Sequence, residues 1–301
     1  MGIISAITAL FFVFWYCTEA VVRACIPWGW RKRKDITGEI VLITGAGSGM
    51  GRLMAVEFAK RNAVVVLWDI NEQGNGETMR MIKAFDGNVH AYKVDVTNAE
   101  EVYETAESVS REVGDVTVLV NNAGVLNGKR FMDCSDDMIR RTMDVNVMSH
   151  FWTLKSFLPA MKVQNKGHIL TIASMAGHFP ANYMVDYSTS KFGAVGLHSS
   201  LRLELLLEGY DGIDMTVVCP GPVSTGMLEG AKCIFMTPEY VVSKIMDAFL
   251  INEKMLFLPA GKSFRKLLMK FLIPEKVGLM IQRTPGMYTN MEHFTGRQKD
   301  N

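Results

Sequence analysis

A single doubly wound α/β domain, with a parallel sheet of about seven strands and helices on both faces, is predicted by three observations. Apolar, β-branched runs of strand length recur along the chain, helical stretches separate them, and a glycine-rich turn follows the first run. The strands are expected at Ile40–Thr44, Val64–Asp69, Val89–Val96, Val116–Val120, His168–Ala173, Asp214–Cys219 and Met255–Leu258. Their near-continuous apolar character suits parallel strands covered on both faces rather than alternating strands with one wet face. Among the helices, Thr97-Asn98-Ala99-Glu100 reads as a capping box opening a charged helix that ends near Gly114. Neither sequence repeats nor a low-complexity linker interrupt residues 36–258, which are read as one domain; residues 259–301 are an appended segment.

The amino terminus is different in kind. No side chain is charged from Met1 to Thr18, and Ile3 to Tyr16 is predominantly apolar. A helix over that stretch and its flanks would reach about 27 Å, close to the hydrocarbon thickness of a bilayer. Glu19 and Arg23 can pair at i and i+4, and Trp28 and Trp30 suit a membrane interface. The basic run Arg31-Lys32-Arg33-Lys34 then follows, with no basic residue before the apolar run. That asymmetry predicts an uncleaved membrane anchor over 1–34 with the remainder facing the cytosol; a cleaved signal peptide would begin with a basic region. Whether the segment spans, lies flat or forms a hairpin stays open. Phe264 to Ile281 mixes Leu, Met, Phe and Ile with Lys and Arg, and reads either as a second membrane-facing surface or as a helix packed on the domain.

Charge and cysteine content exclude other classes. The 32 basic and 31 acidic residues nearly cancel, but residues 1–34 hold five of the former and one of the latter, leaving the remainder at −3, a poor partner for nucleic acid. Five cysteines, at 17, 25, 134, 219 and 233, form no CxxC and have no clustered histidines. Neither a disulfide framework nor a zinc site is expected, and a reducing compartment fits.

The turn Thr44-Gly45-Ala46-Gly47-Ser48-Gly49-Met50-Gly51 lies between a predicted strand and a predicted helix. There, missing side chains let backbone amides approach a pyrophosphate at a helix N-terminus, which gives the domain a Rossmann-type character. Asp69 closes the second strand, 24 residues after Gly45, where a carboxylate accepts hydrogen bonds from ribose hydroxyls and repels a 2′-phosphate. Ser48 and Ile70 supply no compensating charge, so NAD is expected over NADP.

Tyr187 and Lys191 stand at i and i+4 on a predicted helix and so share a face. Ser174 lies 13 residues before Tyr187, just after an apolar strand, and Asn146 lies 28 residues before Ser174. A free phenol, with a pKa near ~10, is a poor base at neutral pH. A lysine one turn away stabilises the tyrosinate, so Tyr187 can take the proton of an alcohol whose oxygen Ser174 holds. Each residue alone has an ordinary structural reading; the spacing makes the chemical one.

With Asn121-Asn122-Ala123-Gly124 after the fourth strand and Pro220-Gly221-Pro222-Val223-Ser224-Thr225 after the sixth, the set resembles the short-chain dehydrogenase/reductase family over residues 38–258. Within it, the chain looks most like the branch of membrane- or lipid-droplet-associated retinol dehydrogenases and certain 17-beta-hydroxysteroid dehydrogenases. The stretches carrying this are Gly38 to Gly49, Val66 to Asn71, His150-Phe151-Trp152-Thr153, Phe157-Leu158-Pro159 and the apolar N-terminus.

The resemblance implies Tyr187 as acid/base, Ser174 as oxygen donor, Lys191 as ribose ligand and activator, and Asn146 as a water-holding fourth member. It places Asp95 and Val96 at the adenine, Asn122, Ala123 and Gly124 on the adenosine side, and Pro220, Gly221, Val223 and Thr225 at the nicotinamide. Met50 stands where the family often has Ile or Leu. The implied activity is NAD-dependent oxidation of a hydrophobic alcohol, retinol first and a steroid or long-chain alcohol second; the implied location is the endoplasmic reticulum membrane or a lipid droplet, and a homodimer is common. A fold-preserving NAD-binding surface protein without catalysis is the rival reading. Residues 226–236 are expected to form an apolar lid, with Met175, Phe179 and Met184 beside the reacting oxygen.

Overall fold

The computed structural model describes residues 11, 14, 15, 18, 22, 26–231 and 233–259. The chain divides into two compact units, Met1–Asp35 and Ile36–Asn301. In the first, the described residues from 11 to 22 are helical, with Phe11, Phe14, Trp15 and Val22 exposed, and Thr18 Oγ1 donates to the Phe14 carbonyl at 2.8 Å. Among the described residues no helix is long and apolar enough to cross a membrane. Most of the expected anchor over 1–34, and all of Phe264 to Ile281, lie outside the described residues.

The second unit contains a seven-stranded, all-parallel sheet in the order β3-β2-β1-β4-β5-β6-β7. Its strands are β1 (Ile40–Thr44), β2 (Val64–Asp69), β3 (Val89–Lys93), β4 (Val118–Asn121), β5 (Gly167–Ile172), β6 (Ile213–Pro220) and β7 (Met255–Leu258). The helices are α1 (Gly49–Ala59), α2 (Glu72–Lys83), α3 (Ala99–Glu112), α4 (Asp136–Met143), α5 (Ser149–Gln164), α6 (Val185–Leu207) and α7 (Pro238–Leu250). Helices cover both faces: α1 packs on α2 and α7, α3 on α5, and α4 on α6. Val41, Leu42, Ile43, Val65, Val66 and Leu67 are wholly buried, as strands covered on both faces require. Trp68 packs on Phe157 from α5 with the rings tilted and their centres 5.6 Å apart, and Phe58 meets Phe249 edge-on at 5.1 Å, tying α1 to α7. Truncating either aromatic to Ala removes about 3–5 kcal/mol of core stability.

The expected bounds of β4, β5 and β6 move by one or two residues, and two further boundaries shift for local reasons. β3 stops at Lys93 rather than Val96 because the Asp95 carboxylate turns the chain, accepting from both the amide and the hydroxyl of Thr97. The cap of α3 is accordingly Asn98, not Thr97: its side chain accepts from the amides of Glu100 and Glu101, while Glu101 reaches back to the Asp95 amide at 2.9 Å. The reciprocal box does not form: Thr97 is already committed to Asp95, Asn98 caps the helix, and Glu101 reaches past the cap.

The strand order reverses between β1 and β4. Strand C-termini diverge there and open the crevice in which doubly wound sheets place their ligands. Between α4 and α5 the chain does not break; a π-helical turn, Asp144–Met148, carries it through. Such turns concentrate at functional sites.

Candidate active site

At the crevice the glycine turn is held from beneath. Thr44 Oγ1 accepts from the amides of Asn122 and Ala123, both at 3.0 Å, and the Asn122 side chain donates to the carbonyls of Thr44 and Gly45. A Cβ at Gly51 would collide with the Gly45 carbonyl oxygen, and one at Gly47 would sit 2.9 Å from Asp69 Oδ2. Only glycine permits these approaches, and they leave the N-terminus of α1 open to a phosphate group. Asp69 accepts from the amides of Gly47 and Asn71, each at 2.8 Å, which aims its carboxylate across the turn while leaving lone pairs for ribose hydroxyls. Thr225 closes the other side: its Cβ would lie 3.3 Å from a Cβ placed on Gly49. The residues present therefore fit a dinucleotide.

Ser174 follows β5, Tyr187 and Lys191 lie on α6, and Asn146 sits in the π-turn. Lys191 Nζ donates to the Ile172 carbonyl at 3.0 Å and lies 5.7 Å from the centre of the Tyr187 ring. Asn146 is fully buried; its Oδ1 accepts from the Val125 amide at 2.8 Å, and its Nδ2 donates to the Val125 carbonyl and to Ser190 Oγ. Ser190 donates in turn to the Tyr187 carbonyl at 2.7 Å, so Asn146 and Tyr187 are linked through one hydroxyl. Ser174 Oγ accepts from the Ala176 amide and donates to the Pro220 carbonyl at 3.4 Å, joining the serine to the turn after β6. A Cβ on Gly124 would lie 3.4 Å from Asn146 Oδ1 and 3.7 Å from Lys191 Nζ.

Burial dominates the electrostatics. It pulls Lys191 down to about 8, against a small opposing effect of Cys219. It raises the Tyr187 phenol, against which a hydrogen bond with Ser174 acts. Cys219 is pushed up to about 12 by burial and stays a thiol, 3.4 Å from His178 Nε2.

The residues expected at the adenine lie at the turn that follows β3. The Asp95 carboxylate serves the β3–α3 turn, and Val96 is buried. Of the expected lid, Leu228, Ala231, Cys233 and Phe235 pack with Leu126, Tyr183, Met184 and Tyr187 in one apolar cluster. Met175 and Phe179 stand outside that cluster.

Sequence reasoning passed over three contributors. Arg52, the first residue after the glycine turn, donates to Thr78 and the Gly47 carbonyl and pairs with Glu77 at 2.7 Å, clamping the turn to α2. Its basic side chain beside the glycines was the available signal. Asp186, adjacent to Tyr187, accepts from Asn127 Nδ2 at 2.6 Å and Thr142 Oγ1 at 2.9 Å, fixing the loop after β4 to α4 and α6. Tyr183 holds a left-handed backbone, φ 60°, and its hydroxyl accepts from Arg130 Nε at 3.3 Å. Neither of these last two has a local sequence signature.

The family model for short chain dehydrogenases matches residues 39–232, and the chain belongs to the short-chain dehydrogenase/reductase family. It is thus an NAD(P)-dependent oxidoreductase acting on alcohols. Its relatives place it in the branch of epidermal retinol dehydrogenase and estradiol 17-beta-dehydrogenase 11. Mouse epidermal retinol dehydrogenase 2 is 45% identical over 276 residues, 89% of each chain. Human estradiol 17-beta-dehydrogenase 11 is 43% identical over 268 residues, 88% of each chain. Among solved structures, a short-chain dehydrogenase/reductase from Burkholderia phymatum in complex with NAD matches with TM-score 0.72 at 25% identity, covering 84% of this chain and 98% of that one.

Proposed function

We propose that this chain oxidises a hydrophobic alcohol with NAD, all-trans-retinol first and a 17-beta-hydroxysteroid or long-chain alcohol second. The observation that carries the reading is the position of Tyr187: one face of its helix presents Lys191, and its own side chain belongs to the apolar cluster with Leu126, Met184, Leu228 and Phe235. A proton-transfer group inside an apolar pocket suits an alcohol that dissolves in lipid. The printed names of the relatives, retinol and estradiol dehydrogenases, support the same substrate class.

The bound cofactor supplies a hydride acceptor and, when oxidised, a nearby positive charge. Thr44, Gly45, Ser48, Gly49, Met50 and Gly51 would hold its phosphates, Asp69 its ribose, and the stretch containing Pro220, Gly221, Val223 and Thr225 its amide end. Ser174 Oγ holds the alcohol oxygen. Tyr187 Oη takes the hydroxyl proton, and Lys191 lowers the cost of the resulting phenolate. Asn146 fixes the first turns of α6 through Ser190. Asp69 favours NAD, because a 2′-phosphate would meet its carboxylate.

An anchor over 1–34 would hold the domain at the cytosolic face of the endoplasmic reticulum or on a lipid droplet, where such alcohols reside; a homodimer is part of this reading. Microsomes expressing the full chain or Tyr187→Phe, given all-trans-retinol, estradiol or a long-chain alcohol with NAD or NADP, test it. Tyr187-dependent retinal formation with NAD is expected. Turnover of the steroid or alcohol alone changes the substrate and keeps the chemistry. Loss of Tyr187 dependence for every substrate favours a non-catalytic NAD-binding protein.

A further inference from the structure

Three buried side-chain nitrogens, on β4, α5 and α6, have no protein hydrogen-bond partner: Asn121 Nδ2, His150 Nε2 and His198 Nε2. Asn121, His150 and His198 are 1%, 2% and 4% exposed. They come from different elements and converge. Asn121 ends β4, and Thr171 is its in-register neighbour on β5. Thr153 on α5 donates to Asn121 Oδ1 at 2.8 Å, which fixes the amide and leaves Nδ2 unused. His150 lies one turn before Thr153, and its carbonyl receives the same hydroxyl at 3.1 Å. His198, seven residues after Lys191 on α6 and so on the same face, shares a 2.9 Å hydrogen bond with Thr171 through Nδ1. His150 is within electrostatic range of both Lys191 and His198.

Leaving a buried polar group unmet is costly, and three tied together through Thr153 and Thr171, with Lys191 bonded to the carbonyl of the residue after Thr171, point to a common partner. Their chemistry matches a water molecule. It accepts from Asn121 Nδ2, donates to the Nε2 atoms of two neutral imidazoles, and retains a lone pair for an ammonium. Burial keeps both rings neutral, with His150 down at about 3 and His198 at about 4. The other titratable or charged groups acting there are Tyr187 and Arg202 on α6, Cys219 on β6 and His178 beyond it; among the described residues no carboxylate acts on Lys191.

We propose that Asn121, His150 and His198 form a buried water-binding site that solvates the Lys191 ammonium from within the protein. This hydration favours charged Lys191, and charged Lys191 favours ionised Tyr187. The two histidines are therefore positioning residues for the catalytic pair, acting through water.

The first test is crystallographic, on the full chain with its cofactor at a resolution that shows ordered water. Density within about 3.2 Å of at least two of the three nitrogens is expected; direct bonding between the side chains, or a dry cavity, overturns the proposal. The second test is kinetic. His150→Leu and His198→Leu should each move the acid limb of kcat/KM for alcohol oxidation upward by about one pH unit, lowering turnover at pH 7 roughly five- to tenfold at unchanged cofactor KM. His150→Gln and His198→Gln, which keep a hydrogen-bonding atom, should restore most of the loss. An unmoved acid limb in folded Leu variants overturns the proposal. Should the Leu variants fail to fold, the density and the Gln variants decide: Gln variants that shift as far as a Tyr187-independent background sink it. Wild-type turnover and its loss in Tyr187→Phe test the catalytic assignment separately.

Discussion

The cofactor half and the catalytic half of the crevice differ in how their polar groups are met. Around the glycine turn most polar groups are paired within the protein: Thr44 with two amides, Asn122 with two carbonyls, Asp69 with two amides, Arg52 with Glu77. Around Tyr187 the chain leaves polar atoms unmatched at Asn121, His150, His198 and Asp186 Oδ1, holds Tyr183 in a left-handed backbone, and departs from α-helical geometry at Asp144–Met148. The first region recognises a ligand of fixed shape, and its turn is fixed by these pairings, with Trp68 Nε1 and Asn75 Oδ1 the buried atoms left unmatched behind it. The second must accommodate a reacting substrate and moving protons, so it keeps unspent hydrogen-bonding capacity.

The contrast yields graded expectations. Tyr187→Phe, in the catalytic half, should lower kcat by about a thousandfold or more while leaving cofactor affinity near wild type, measured by NADH production and cofactor titration. A parallel loss of cofactor affinity would show that the halves are not separable. Gly51→Ala should do the converse. Its Cβ meets the Gly45 carbonyl, so the turn must open, with about 2–4 kcal/mol lost in thermal or denaturant unfolding and weakened cofactor binding.

Asp69→Ser should narrow the preference for NAD over NADP by about ten- to a hundredfold in kcat/KM ratios, an interaction of one charge pair. Smallest is an acid effect on stability. His150 and His198 have folded pKa values below the ordinary 6.5, so the unfolded chain binds more protons as pH falls through 6.5 toward 4. Stability contributed by the neutral rings is full above about 6.5 and is lost across that window. His198→Gln should therefore flatten the decline in unfolding midpoint between pH 7 and pH 5; an unchanged slope would place the acid sensitivity elsewhere.

The same division governs what the sequence made legible. β1, β2 and β7 match their expected bounds, because short uninterrupted apolar runs between turn residues leave little alternative to a buried parallel strand. The glycine turn and the Tyr187–Lys191 pair are local patterns at fixed spacing, so they too were readable. Asn146 and Ser174 were legible only through spacing to other motifs. The Asn127–Thr142–Asp186 network spans 59 residues in sequence and has no periodic signature, and Tyr183's backbone follows from tertiary packing. Asp95 illustrates a third case, in which a residue expected at the ligand also shapes the turn that carries it, through the amide and hydroxyl of Thr97.

The π-turn carries an architectural consequence. It is one residue wider than an α-helical turn, so α4 and α5 are out of phase by about 100° across it. Deleting one residue from 144–148 would make the segment an ordinary helix and improve its local hydrogen bonding. The same deletion would swing Asn146 off the Val125 and Ser190 contacts, or rotate the Trp152 and Phe157 face of α5 away from the core. Sequence length in this short window is therefore constrained independently of composition.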